Sequence, residues 1–459
     1  MTVASASATD PLLPRAPGGS GTGRTFRPVS PVHTPKVTPA EAWRRAREHD
    51  GVAVKALAVG IGGLPILRPT VGGNLGPADA AMMLCGACIL VWAGSTRQVL
   101  RGAYLLPSVL TMLAGMVAGL AGAAPAAALL AVAQDFYLLL WALACLNVAR
   151  TADAAASVAR SWCYAAFGWS VTLFLVVGRT ALTATTGDTR LAFTSDTNGA
   201  GLYFVLSIFV MIAARRPRRR LWRWTAITFL LADTVLTGSL GALSGLLAGL
   251  ATAIMMGVAA RRGPAPALAL ALALGLTAGS ATLYVQRYRV IEAAHASGNA
   301  VLRNSLGRGL QTSTERQALT RETLGLVTSA GPAGYGPNTT EQLLRTDQAP
   351  YPKQAHNDWI AALVERGVLG FAGMALLAFE VVRRTAQVRD ATLLTPAHAE
   401  AFPAVQYLAG GAVTVAIFSL THEVLHDRTA WTLLGLIAAL AVFGRPARQP
   451  GGGTPCVHS

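Results

Sequence analysis

The residues able to do chemistry are few in this chain, and they stand out against the alanine and leucine around them. Residues 354 to 370 read QAHNDWIAALVERGVLG, in which His356, Asn357 and Asp358 open an apolar run that carries Glu365 and Arg366 partway along. An imidazole titrates close to neutrality and can accept a hydroxyl proton, which makes His356 a candidate general base. The alternative for a histidine at a lipid–water boundary is a simple polar anchor. Glu365 lies nine positions on, on the opposite face of a straight helix and about 13 Å further along its axis. It is therefore expected to hold another helix or a loop arginine, with Gly367 and Gly370 admitting a close neighbour.

Three other polar stretches compete for a role. GDTRLAFTSDTNGAG (187–201) carries Asp188, Arg190, Asp196 and Asn198, and Asn198-Gly199 also suits the cap of a following helix. In TSTERQALTRETLGLVTSAGPAGYGPN (312–338), Thr312 and Glu315 form a capping-box pattern that predicts a helix of about 16 residues. Arg316, Leu319, Thr323 and Val327 share one stripe of it, and the glycine-rich segment 329–340 ends it as a turn. Arg316 and Arg321 are either solvated surface or part of a site. THEVLHDR (421–428) spaces His422 and His426 by four, with Glu423 and Asp427 beside them. A metal could use that spacing, but a polar lid is the preferred reading, and no Asp-x-Asp or His-rich cluster argues for a metal elsewhere. Asp135 and Asp233 fall within apolar runs, where a carboxylate is costly. Asp135 either lines a groove or makes an interhelical contact; Asp233 reads as structural.

The elements that must position these groups are membrane helices. Of 459 residues, 53% are hydrophobic and 13% charged, too few charges for a soluble chain of this size. Apolar segments long enough to cross a bilayer core of about 30 Å predict twelve spans: 51–67, 78–94, 103–121, 124–148, 161–181, 197–214, 221–237, 238–260, 265–285, 357–381, 403–421 and 429–444. The expected fold is all-α, a polytopic transmembrane helix bundle with one large, partly helical loop. Its organisation is a cytoplasmic tail with a short interfacial helix (1–50), spans one to nine (51–285), an extracytoplasmic loop (286–355), spans ten to twelve (356–444) and a second tail (445–459).

Basic residues set the orientation. With both termini in the cytoplasm, the inner segments hold 24 of the 38 Lys and Arg but 7 of the 22 Asp and Glu. The net charge of +16 thus reports topology, and ARRPRRRLWRW (214–224) reads as a cytoplasmic anchor before any nucleic-acid site. No removable leader is expected at the start of the chain. Cys85, Cys88, Cys145 and Cys163 fall in or beside apolar runs and behave as small apolar residues.

The string HNDWIAALVERGVLG resembles the His-Asn, Leu, Glu-x-Gly-x-x-Gly signature of the O-antigen ligase and O-antigen polymerase superfamily of bacterial membrane glycosyltransferases. DTRLAFTSDTNGAGLYF is similar to that family's arginine, Phe and Asp-Pro-Asn stretch, with Thr197 in place of the proline. TSTERQALTRETLGLVTSAGPAGYGPN resembles its loop helix closed by a Gly-x-Gly-Pro turn. The family's Ser-Arg-Gly motif after span seven is not matched: TGSLGALSG has Leu240 in the arginine's slot. The resemblance covers roughly residues 160 to 440 and rests on the order of the motifs.

It implies transfer of a glycan from a polyprenyl (undecaprenyl) pyrophosphate donor to an acceptor hydroxyl at the outer face of the inner membrane, inverting and without a metal or cofactor. His356 would be the base, and Arg190 and Arg316 would clamp the pyrophosphate, since guanidinium groups stay charged and grip phosphate oxygens in pairs. Asn198, Arg321, Asn357 and Glu365 would support them. The implied partners are the lipid-linked glycan donor, a glycan or lipid acceptor and membrane lipids, with no nucleic acid. A transporter or flippase for lipid-linked glycans is the alternative, although no repeated halves support it.

Overall fold

Wherever the described sequence is rich in alanine and leucine, the computed structural model of the protein is helical, and no strand occurs among the described residues. Those residues are 51–65, 77–95, 99–122, 124–178, 197–304, 307 and 309–446, and they belong to one unit, Ala46–Ser459. Five helices are α1 (Val52–Gly63), α2 (Pro77–Ser95), α3 (Leu105–Ala121), α4 (Pro125–Val148) and α5 (Ala152–Leu173), the last running into a π-turn, Phe174–Gly178. Then come α6 (Thr197–Ala214), α7 (Arg220–Leu236), α8 (Leu240–Arg262) and α9 (Pro264–Arg287). A connecting region holds α10 (Val290–His295), α11 (Ala300–Asn304), α12 (Gly309–Ala330) and α13 (Thr340–Thr346). The chain continues through α14 (Asp358–Gln387), α15 (Pro396–Ala401), α16 (Gln406–Ser419) and α17 (Arg428–Phe443).

A helix lies over each of the twelve expected apolar segments. Among the described residues five are long and apolar enough to cross a membrane: α4, α6, α8, α9 and α14; α1, α2, α3, α16 and α17 are shorter apolar helices. At 1.5 Å per residue the 14 residues of α16 cover about 21 Å, less than a bilayer core. The loop helix α12 starts at Gly309 and runs 22 residues, so Thr312 lies inside it and does not cap it.

The packing is that of helices which cannot rely on water to drive them together. α6 is the central helix: Leu202, Tyr203, Phe204 and Phe209 are fully enclosed, and Ser207 accepts a bond from Trp162 Nε1 at 2.9 Å. α8 and α16 meet through small residues, where Thr414 Oγ1 donates to Gly245 O at 2.8 Å and Gly410 O at 3.1 Å. Gly249 lies against the Gly410 carbonyl in the same seam. α9 buries none of its residues, as an apolar helix surrounded mostly by lipid would.

Two buried ion pairs join helices inside the bundle. Arg428 grips Asp79 through Nε (2.7 Å to Oδ1) and Nη2, and Tyr137 donates to the same carboxylate. Asp135 of α4 and Arg366 of α14 form a second buried pair at 2.5 Å. Ser170 donates to Asp233, which fits the structural role expected of it.

Contacts between turns mark two ends of the bundle. One end gathers the α7–α8 turn, the region between α9 and α14, and the α16–α17 turn. The other gathers the α6–α7 turn, Arg215 to Arg219, together with Arg261, Arg262 and Arg389. α6 separates the two ends by about 27 Å, from 18 residues at 1.5 Å each.

Candidate functional site

The triplet that opens α14 divides its work between a cavity and the turn beside it. His356 precedes the helix with φ +48°, a left-handed conformation that histidine adopts more readily than most residues but that remains uncommon. Asn357 is the N-cap: its Oδ1 accepts from Trp359 N at 3.0 Å and Ile360 N at 3.1 Å. Its amide also donates to Leu420 O at 3.1 Å. Asp358 is buried and accepts from Val424 N at 2.8 Å and Leu425 N at 3.5 Å. Asn357 and Asp358 thus tie the α16–α17 turn to the residue beside His356.

That turn carries His422, whose ring centroid lies 5.8 Å from that of His356. His422 stacks on Phe418 at 4.4 Å, and its Nε2 lies 3.3 Å from Arg316 Nη2. Burial, then the positive charge of Arg316 and the neighbouring His356, push His422 down to about 2, so its ring is neutral at any physiological pH. Close approach on the other side is possible because position 241 is glycine: a Cβ there would press on Thr421 Oγ1 and Phe418.

Arg316, Arg321 and His356 line one open cavity of about 560 Å³, with Gln317, Thr320, Ala355 and Thr421. Leu319, on the same stripe of the loop helix as Arg316, packs with Leu326, Leu344 and Val364 and also lines the cavity beside the arginine. Arg316 is half-buried, burial lowers its pKa, and among the described residues no carboxylate pairs with it. Such a group is a ready partner for an anion.

Glu365 holds another helix, as expected, together with the turn before it: it accepts from Thr340 N (3.4 Å) and Thr340 Oγ1 (2.6 Å) at the start of α13, and from Asn338 N (2.9 Å). The glycine-rich turn after α12 is therefore pinned on α14 by its backbone, and two more bonds join them: Tyr335 N to Val364 O (3.0 Å) and Gly336 N to Glu365 O (2.8 Å). α14 is not straight. It breaks at Gly367 (φ 62°, ψ −161°), where a side chain would collide with the Pro332 carbonyl. The break lets Val368 N bond to Pro332 O at 3.0 Å.

Asn198 occupies the first turn of α6, whose Gly201 packs on Ser239 and Ala242 at the start of α8. It flanks the site without lining the cavity. Arg190 lies outside the described residues. Leu240 opens α8 beside the turn that supports His422.

The sequence reading left several buried charges without named partners. Asp135 was weighed without a partner, yet Arg366 was there to be matched with it: two opposite charges in separate apolar runs satisfy each other best. His426 completes that group, with Nε2 3.1 Å from Asp135 Oδ1; burial opposes its charge, but Asp135 holds its pKa up. Asp79 with Arg428 follows the same logic. His422 and His426 face different partners, Arg316 and Asp135, so the i, i+4 spacing does not bring them to one metal position.

Residues 225 to 375, from the second turn of α7 to the middle of α14, match the family model of the O-antigen ligase. No curated protein matches the chain. That segment, about a third of the chain, is similar to the O-antigen ligase, whose family members act on glycans.

Proposed function

We propose that this protein, whose residues 225–375 carry the O-antigen ligase domain, is a membrane glycosyltransferase using a polyprenyl pyrophosphate-linked glycan as donor. The acceptor hydroxyl attacks the anomeric carbon and His356 takes its proton as the new glycosidic bond forms. The bond from that carbon to the pyrophosphate oxygen breaks, and the polyprenyl pyrophosphate leaves with the electron pair. Attack opposite the leaving group inverts the anomeric centre. Arg316, Arg321 and Arg190 stabilise the charge gathering on the departing pyrophosphate, the task a divalent ion performs in other transferases.

One observation carries this reading: Arg316, without a carboxylate to neutralise it among the described residues, faces the same cavity as His356. Asn357 and Glu365 support the site by holding the two turns that frame it. The basic turns at the far end of the bundle support a cytoplasmic location there, with both termini, and a reaction on the non-cytoplasmic side of the inner membrane. Spans near 30 Å bring the lipid-linked donor to that depth.

The test is complementation. In cells lacking the protein, the glycan that disappears is restored by the wild-type chain but not by His356→Ala or Arg316→Ala at equal membrane abundance. Restoration by the His356 variant removes the base from the mechanism. Counterflow of a lipid-linked glycan without any new glycosidic bond would favour transport instead.

A further inference from the structure

A half-buried arginine is ordinarily aimed by a carboxylate, which also cancels its charge. Among the described residues Arg316 meets no carboxylate and is aimed by an imidazole, through Nη2 at 3.3 Å from His422 Nε2. A guanidinium can only donate, so His422 Nε2 must accept and the ring proton must sit on Nδ1. Nδ1 then donates to Thr421 Oγ1 at 3.1 Å, and the Thr421 hydroxyl donates in turn to Phe418 O at 3.1 Å. Every group in this chain has one direction open to it, which fixes the tautomer.

The ring itself has little room to move. It is 6% exposed, stacked on Phe418 with an interplanar angle of 18°, and carried by a turn that Asn357 and Asp358 hold from the start of α14. We propose that His422 is a positioning residue for anion binding: a neutral, single-tautomer acceptor that aims Arg316 into the cavity beside His356 and leaves its whole charge for a diphosphate. The inference rests on the phosphate-binding role given to Arg316 above.

Calorimetry with inorganic pyrophosphate, on the full chain in lipid nanodiscs, tests it. His422→Phe keeps a ring against Phe418 but removes the acceptor, and weakens pyrophosphate binding about tenfold, the worth of one hydrogen bond to a charged group. His422→Gln, whose Oε1 can accept from the same guanidinium, recovers most of that loss. In an Arg316→Ala background His422→Phe costs nothing further, because the two act as one unit. Wild-type affinity in His422→Phe, or an equal loss with and without Arg316, overturns the positioning role and leaves Arg316 as a phosphate ligand. Wild-type affinity in Arg316→Ala overturns both. Nitrogen NMR of the unsubstituted protein reads the tautomer directly: a proton on Nε2 of His422 contradicts the proposal without any substitution.

Discussion

His356 and Arg366 show two ways of placing an ionisable residue in a membrane protein. His356 sits at the bundle end in a left-handed conformation beside open space, whereas Arg366 is 4% exposed and spends its charge on Asp135. Removing one partner of a buried pair leaves the other uncompensated, at a cost of about 3–5 kcal/mol. Asp135→Asn and Arg366→Met should therefore each destabilise strongly, and the double variant by less than their sum, in detergent unfolding. Glu423 makes a different prediction. Burial, and then the charge of Glu365, raise its pKa to about 7 from an ordinary 4.5. The folded chain then binds more protons than the unfolded one between those values, so stability falls as pH rises through that window. The thermal midpoint should drop from pH 5 to pH 8 in the wild type and drop less in Glu423→Gln.

At the scale of elements, the site exists because two turns are fastened to one helix. The turn after α12 inserts at the break in α14, and the α16–α17 turn is held at its start. Gly367→Ala puts a side chain into the Pro332 carbonyl and demands an unfavourable φ, costing about 1–3 kcal/mol. The docked turn should detach before the bundle melts, so limited proteolysis should cut between 329 and 340 in the variant and not in the wild type. Much of this was legible in advance. The glycine-rich turn and the stripe through Leu319 follow from local pattern, and the meeting of the His-Asn-Asp run with the loop arginines from the motif resemblance. That Glu365 holds another helix was legible too, though not which one; the break at Gly367 depends on the Pro332 carbonyl, a contact no local pattern contains. Asn357 and Asp358 look like site residues for the same reason, since a side chain bonded to a distant backbone leaves no trace in spacing.

For the whole molecule, the contacts between turns and the distribution of arginine describe one arrangement, with cavity and basic turns at opposite ends about 27 Å apart. Gln317 is exposed beside the cavity and Arg219 is exposed in the basic turn. A membrane-impermeant thiol reagent applied to whole cells should label Gln317→Cys and spare Arg219→Cys; the reverse pattern would turn the protein over. The count of spans was less legible, because α1 and α16 are apolar but shorter than a bilayer core requires.

The central claim is that one imidazole moves the acceptor proton while arginines hold the diphosphate. Single-turnover transfer by reconstituted protein, with a polyprenyl pyrophosphate-linked glycan at saturation, tests it through His356→Asn. Asparagine tolerates the left-handed backbone of position 356 but cannot take the proton. Donor binding should persist while the transfer rate falls at least about a hundredfold. Transfer at the wild-type rate would contradict the account.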